Sequence, residues 1–141
     1  MNDIPVEVRQ RAGHRCEYCR IPQALFRRCF HIEHIIAKQH GGPTQLDNLA
    51  LACWQCKLKK GPNLTGLDPE TGDIRRLFHP RTDNWADHFT LQKLNGKPVR
   101  IEIAGLTPVG RATARLLEVN EDFRQVLRYE TFDARLASFS V

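Results

Sequence analysis

Two Cys-x-x-Cys pairs, Cys16/Cys19 and Cys53/Cys56, bracket a segment that holds Glu33-His34 and, beyond Gly41-Gly42, Asn48. Two thiolates separated by two residues can both reach one tetrahedral Zn²⁺, and two such knuckles complete a four-sulfur site. A redox dithiol or unrelated core cysteines would give the same spacing, but the expectation is one structural zinc that pins both ends of everything between the pairs. The side chains in between suit a different chemistry. An imidazole titrates near neutrality and can accept a proton from water, the part His34 would play as a general base. A carboxylate such as Glu33 is a hard oxygen ligand for Mg²⁺ or Mn²⁺. Phosphodiester hydrolysis asks for an activated water, a cation at the scissile phosphate and a stabilised leaving oxygen.

These residues need elements to hold them. Asp3 can cap a first helix reaching about Arg11, with Gly13 suited to its end. Cys29 to Ile36 alternates well enough for a strand, which sets His31 and Glu33 on one face and Ile32 and His34 on the other. Gly41-Gly42-Pro43 breaks the chain into a loop running to Asp47-Asn48. Leu49-Ala50-Leu51-Ala52 reads as a second short strand. A helix through Cys56-Lys57-Leu58-Lys59-Lys60 would then stop at Gly61-Pro62. Cys29, the odd cysteine, is expected to be a small buried hydrophobe.

Charge is unevenly divided along the 141 residues. The formal net charge is +5, and residues 1–63 carry all of that excess, with ten Lys/Arg against five acids. A basic half is what a polyanion partner requires. Arg27, Arg28, Lys38, Lys57, Lys59 and Lys60 are therefore the expected nucleic-acid contacts. No apolar run approaches membrane-spanning length, and Met1 to Pro5 lacks a basic leader with an apolar core, so no membrane partner is expected. A cytoplasmic location is expected, in which thiols favour metal over disulfide.

The order Cys-x-x-Cys, Glu-His, Asn-Leu, Cys-x-x-Cys and basic helix resembles the HNH endonucleases of the ββα-metal fold, over roughly residues 12–62. Gly66-Leu67-Asp68-Pro69-Glu70-Thr71-Gly72, Leu77-Phe78-His79-Pro80-Arg81 and Gly110-Arg111-Ala112-Thr113 resemble small bacterial members less specifically. The resemblance implies metal-dependent hydrolysis of a nucleic-acid backbone, usually DNA. It matches Glu33 to the metal ligand that precedes the base, His34 to that base, and Asn48 to the central Asn that holds the loop and the base in position.

One position departs from the pattern. The family usually carries Asn or His directly after the fourth Cys, whereas this chain has Lys57. An ammonium offers three donors and no lone pair, so it cannot ligate a cation. Lys57 is expected on the first turn of its helix, facing Glu33 and able to fill the metal site as an ion pair. Otherwise His31 or His79 supplies the missing ligand, or Lys57 contacts the phosphate itself.

Residues 64–141 carry fewer signals. Val99 to Ile103 alternates like a strand, and Thr107-Pro108 resembles a helix cap with a first-position proline. Asn120 can start a last helix with Phe123, Val126 and Leu127 inward. Arg111/Arg115 and Arg124/Arg128 each share a helix face. That face is expected to be solvated and paired with Glu118 and Glu121, with a DNA-contacting ridge as the alternative. The expected architecture is α+β, with a zinc-clamped ββα-metal core over residues 1–63 that includes an N-terminal helix. A strand-and-helix extension, residues 64–141, would pack on it. The expected function is an HNH-type DNA endonuclease weakened or disabled by Lys57, or else a non-catalytic zinc-stabilised DNA-binding module.

Overall fold

The computed structural model of the chain describes residues 3–132; Met1-Asn2 and the end of the expected extension, 133–141, lie outside the described residues. The architecture is α+β. Helix α1 (Ile4–Arg11) carries Pro5 in its first turn, where the missing N–H has no intrahelical acceptor anyway. Asp3 stands at the N-cap position but its side chain makes no capping hydrogen bond. The first knuckle follows directly.

Strands β1 (His31–His34) and β2 (Leu49–Ala52) pair antiparallel, with Glu33 opposite Ala50 and His34 opposite Leu49. β1 is shorter than the alternation of 29–36 suggests. Beyond it the backbone of Ile36 is bonded to the side chain of Asn48 and so cannot extend the ladder. Cys29, expected inside, is exposed because it lies before the strand begins. β2 is buried along its whole length, since α1 and α2 (Trp54–Lys60) both pack against it. α2 starts at Cys53, whose Sγ accepts the Cys56 N–H, and ends at Gly61 in a positive-φ conformation ahead of Pro62. This gives the expected order of strand, loop, strand and helix.

The chain continues through the hairpin β3 (Thr65–Leu67) and β4 (Ile74–Arg76), then short helix α3 (Trp85–His88). Strands β5 (Phe89–Leu94) and β6 (Arg100–Gly105) form a third two-stranded antiparallel sheet. Helices α4 (Pro108–Leu116) and α5 (Asp122–Glu130) pack on β6. Thr107 caps α4 by accepting the Gly110 N–H at 3.0 Å, as its sequence suggests. One cluster of buried side chains joins Val8, Phe30, Leu49 and Leu51 to Trp85, Phe89, Leu91, Ile101, Ile103 and Leu117. Each such aliphatic or Phe side chain contributes about 1.5–3 kcal/mol on burial, so β5 and β6 share in stabilising the core that holds the knuckles.

Polar contacts reinforce that junction at three consecutive residues of the first knuckle. Arg81 pairs with the Glu17 carboxylate, Trp85 Nε1 donates to the Tyr18 carbonyl at 3.1 Å, and Arg128 Nε donates to the Cys19 carbonyl at 3.1 Å. The other Glu17 oxygen accepts the Leu51 N–H at 2.8 Å, which ties the knuckle to β2.

The last helix corrects the hydrophobic pattern. Phe123 is 62% exposed, whereas Arg124 and Arg128 are each 2% exposed. The arginines turn inward because their donors have acceptors there: Arg124 reaches Gln55, Cys56 and the Leu117 carbonyl, and Arg128 reaches the carbonyls of Cys19, Ile101 and Val119. Arg111, also expected in solvent, makes a two-point pair with Asp68, which is fully buried. Glu118 pairs with Lys59 instead.

Candidate functional site

The four knuckle cysteines converge. Their Sγ atoms all lie within 4.8 Å of one another, all four residues are buried, and none is in a disulfide. Cys19 N–H and Cys56 N–H each point at the Sγ three residues back, at 3.4 Å. Thiolates about 2.3 Å from a common tetrahedral ion would stand a little under 4 Å apart, and the Cys19 and Cys53 sulfurs are 3.6 Å apart. The donor set, its dryness and the Arg124 guanidinium 3.3 Å from Cys56 Sγ fit Zn²⁺.

A groove of about 270 Å³ runs between β1 and α2, lined by Glu33, His34, Lys38 and Lys57, with Ala37 and Gly61 among its other walls. Glu33 is 9% exposed, and its Oε2 is buried without a hydrogen-bond partner. Burial raises its carboxyl to about 7, against the opposing pull of Lys60 and then Lys57. A buried carboxylate oxygen that no donor meets fits one coordination position of a divalent cation, for which phosphate oxygens and water commonly supply others. Among the described residues, no further Asp, Glu, His or Cys joins Glu33 and His34 in a set of three ligands.

His34 places Nε2 2.8 Å from the Thr44 hydroxyl. Burial, then the charge of Lys38, lowers its basicity, so the ring is neutral near pH 7. Asn48 does not touch the imidazole. Its amide is a clasp two residues further on: Oδ1 accepts Ile36 N–H at 2.9 Å, and Nδ2 donates to Ile36 O at 3.0 Å and Pro43 O at 2.9 Å. Backbone bonds from Ile35 N to Asn48 O and from Gly42 N to Ala37 O close the same loop. Gly42 permits this closure, because a Cβ there would fall 1.7 Å from the Ile36 carbonyl oxygen.

Several expectations need correction. Lys57 does not pair with Glu33; its ammonium lies 5.6 Å from the centre of the Trp54 ring, an aromatic face that competes for it three residues away on the same helix. Lys60, expected against DNA, is 2% exposed and donates to the Ile35 carbonyl at 2.9 Å. His31 stacks on Trp54 at 4.7 Å, outside the lining of the groove. His79 lies in a separate hollow, where its Nδ1 accepts the N–H groups of Arg81 and Thr82. Neither histidine lines the groove of Glu33 and His34. Lys59 is held by Glu118, on another side of α2. Arg27, Arg28 and Lys38 are exposed, and the Arg28 guanidinium lies 5.6 Å from the Trp54 ring centre.

The sequence carries no expectation for Thr44 or Trp54, and it places Arg124 on a solvated face rather than beside the cysteines. Trp54 and Lys57 sit three apart on a helix, a spacing that signals a shared face. Nothing local marks Thr44 or Arg124, whose partners are distant in the chain.

No curated protein and no solved structure matches the chain significantly. The family model described as HNH endonuclease matches residues 16–63, from the first knuckle through the end of α2. That match spans both Cys-x-x-Cys pairs, Glu33, His34 and Asn48, so the segment 16–63 is similar to the HNH endonuclease domain.

Proposed function

We propose that the chain is an HNH-type endonuclease that hydrolyses DNA phosphodiester bonds in the groove between β1 and α2. The observation that carries this reading is Glu33: a buried carboxylate oxygen without a donor, beside His34, in a groove rimmed by Lys38 and Lys57. In this reading Glu33 holds a Mg²⁺ or Mn²⁺ ion, which when bound supplies Lewis-acid stabilisation of the scissile phosphate. In the tautomer that donates Nε2–H to Thr44, the lone pair of neutral His34 lies on Nδ1, which would take the proton from the attacking water. Asn48 acts at one remove, fixing the Ile36 peptide and thereby the end of β1 on which His34 stands. Lys38, Arg27 and Arg28 supply positive charge for the DNA backbone, and Zn²⁺ on the four cysteines holds strand and helix together.

The second reading is a zinc-stabilised DNA-binding module without cleavage. It is favoured by Lys57 and Lys60, two cations whose fields reach the single carboxylate of the groove. Nicking of supercoiled plasmid, with Mg²⁺ or Mn²⁺ and without added divalent ion, decides between them. The nuclease reading expects divalent-dependent nicking by the parent that disappears in Glu33→Ala. Binding of plasmid with no nicking in either metal would leave the module.

A further inference from the structure

A second hollow opens beside Trp54. It encloses about 330 Å³ and is almost wholly apolar, with Ile21, Phe30 and Leu127 lining it deeply. Its rim is made of three exposed aromatic side chains from three different elements: Phe26 (38% exposed) after the turn Gln23–Leu25, Trp54 (45%) at the start of α2, and Phe123 (62%) at the start of α5. Exposed aromatics grouped round one cavity are costly to leave in water, and such a patch marks a place where something binds.

Charge narrows what that is. Among the described residues, the lining includes Arg27 and Arg28 and no carboxylate. The cations of Arg28 and Lys57 both lie 5.6 Å from the Trp54 ring centre, and Lys57 also lines the groove of Glu33 and His34. Trp54 thus lines the apolar hollow while Lys57, whose ammonium lies by its ring, lines the polar groove, so positive charge links the two. His31 stacks against its ring at 4.7 Å, so the indole is braced before any ligand arrives. A ligand that matches has a flat apolar face joined to an anionic backbone. Nucleotides have both, but in a duplex the base faces are occupied by stacking; only an unpaired base can offer one.

We propose that this hollow seats an unpaired nucleobase of the DNA whose backbone crosses the groove, so that the chain takes DNA with single-stranded character in preference to continuous duplex. The proposal rests on the nucleic-acid reading of the groove and adds the form of the substrate to it.

Binding is the direct test, measured by fluorescence anisotropy without added Mg²⁺ or Mn²⁺ so that no cleavage intervenes. Three labelled probes are compared at one salt concentration: a single strand, the same strand in a blunt duplex, and a strand of the same length in which several nucleotides are abasic. The expected result is tightest binding to the intact single strand, with a loss of roughly 5- to 160-fold on removing the bases, the range of one stacked base. Trp54→Ala and Phe26→Ala should remove that difference while leaving affinity for the abasic strand unchanged. Zinc content and circular dichroism check the fold, and Phe26→Ala, at an exposed loop position, keeps the test decisive if Trp54→Ala does not fold. Equal binding of intact and abasic strands by the parent would overturn the proposal, as would duplex bound more tightly than single strand. A hollow made for a protein segment gives that same indifference to the bases. Failure to bind any of the three probes would instead reject the nucleic-acid reading itself.

Discussion

Nη1 of Arg124, on the last helix, lies 3.3 Å from Sγ of Cys56 and shares a buried space with all four knuckle cysteines. Four thiolates around one Zn²⁺ carry a net charge of about −2, which apolar surroundings do not tolerate without a counter-charge. Burial opposes the positive charge of Arg124, yet Cys56, Cys19 and Cys53 outweigh it and hold the guanidinium charged. Replacing Arg124 by Met should destabilise the fold by about 3–5 kcal/mol, as for other broken buried pairs. It should also weaken zinc by roughly 10–100-fold. Arg124→Lys should recover only part of this, since one ammonium cannot serve Gln55, Cys56 and Leu117 together. Denaturant titration and competition with a chromophoric chelator measure the two effects, and an unchanged R124M protein would remove Arg124 from the support of the zinc site.

His34→Ala should reduce divalent-dependent nicking by roughly 10²–10⁴-fold while leaving DNA affinity nearly unchanged, because a general base acts on the water in the transition state. Thr44→Val should give a smaller loss, since it frees the imidazole from its 2.8 Å contact without removing it. The pair is checked by single-turnover rates alongside binding curves. Full activity in His34→Ala would assign the base elsewhere.

Lys57→Asn should increase Mg²⁺- or Mn²⁺-dependent nicking. Lys57 makes no bond to Glu33, so the gain comes from lifting an unfavourable potential at the cation site and adding an oxygen ligand. One unit charge at the effective dielectric of a protein surface is worth a few kcal/mol at contact and less at longer range, so a gain on the order of tenfold is expected. His79→Ala should not alter nicking, because His79 lies in a different hollow. Parallel assays of the parent and these two variants test both statements; a loss of nicking in His79→Ala would restore His79 as a ligand.

Glu33 gives a pH dependence whose sign can be worked out. Its carboxyl titrates at about 7 in the folded chain, against 4.5 for the ordinary group. Between these values the folded state holds the proton that the unfolded state has lost, so stability falls as pH rises and the penalty is complete above about 7. Glu33→Gln carries no such penalty. With zinc bound and no other divalent ion, it should match the parent near pH 4.5 and exceed it in thermal stability at pH 8. Added Mg²⁺ should narrow the gap at pH 8 by stabilising the ionised carboxylate of the parent alone. Parallel melting curves for the two proteins would contradict this account of Glu33.

The parts of the site that could be read directly from the residues are those fixed by local spacing. Cys16 approaches Cys19, and Cys53 approaches Cys56, because each Cys-x-x-Cys turn is self-contained, and β1, β2 and α2 follow from short apolar alternation and the Gly61-Pro62 stop. Lys60 and Arg124 were misplaced for one shared reason. A cation is buried only where acceptors from remote parts of the chain assemble around it, here the Ile35 carbonyl for Lys60 and the Cys56 sulfur for Arg124. Periodicity counts apolar positions and cannot register such acceptors. Phe123 shows the converse: its spacing with Val126 and Leu127 predicts a core position, yet it rims an open hollow. The Lys57 contact with Trp54 required knowing which of two nearby faces, carboxylate or indole, the flexible side chain would reach.

The grip of Arg81, Trp85 and Arg128 on Glu17, Tyr18 and Cys19 bears on how this chain can be used as a part. A cassette cut after Asn63 would contain every residue of the HNH match and still be unfit for transplantation into another protein. It would expose the knuckle's carbonyls and the Glu17 carboxylate, and it would leave the sulfur cluster without the Arg124 charge that answers it. Grafts that carry α3, β5, β6, α4 and α5 along with the domain bring their own scaffold, so the smallest portable unit is set by those three donors rather than by the boundaries of the motif.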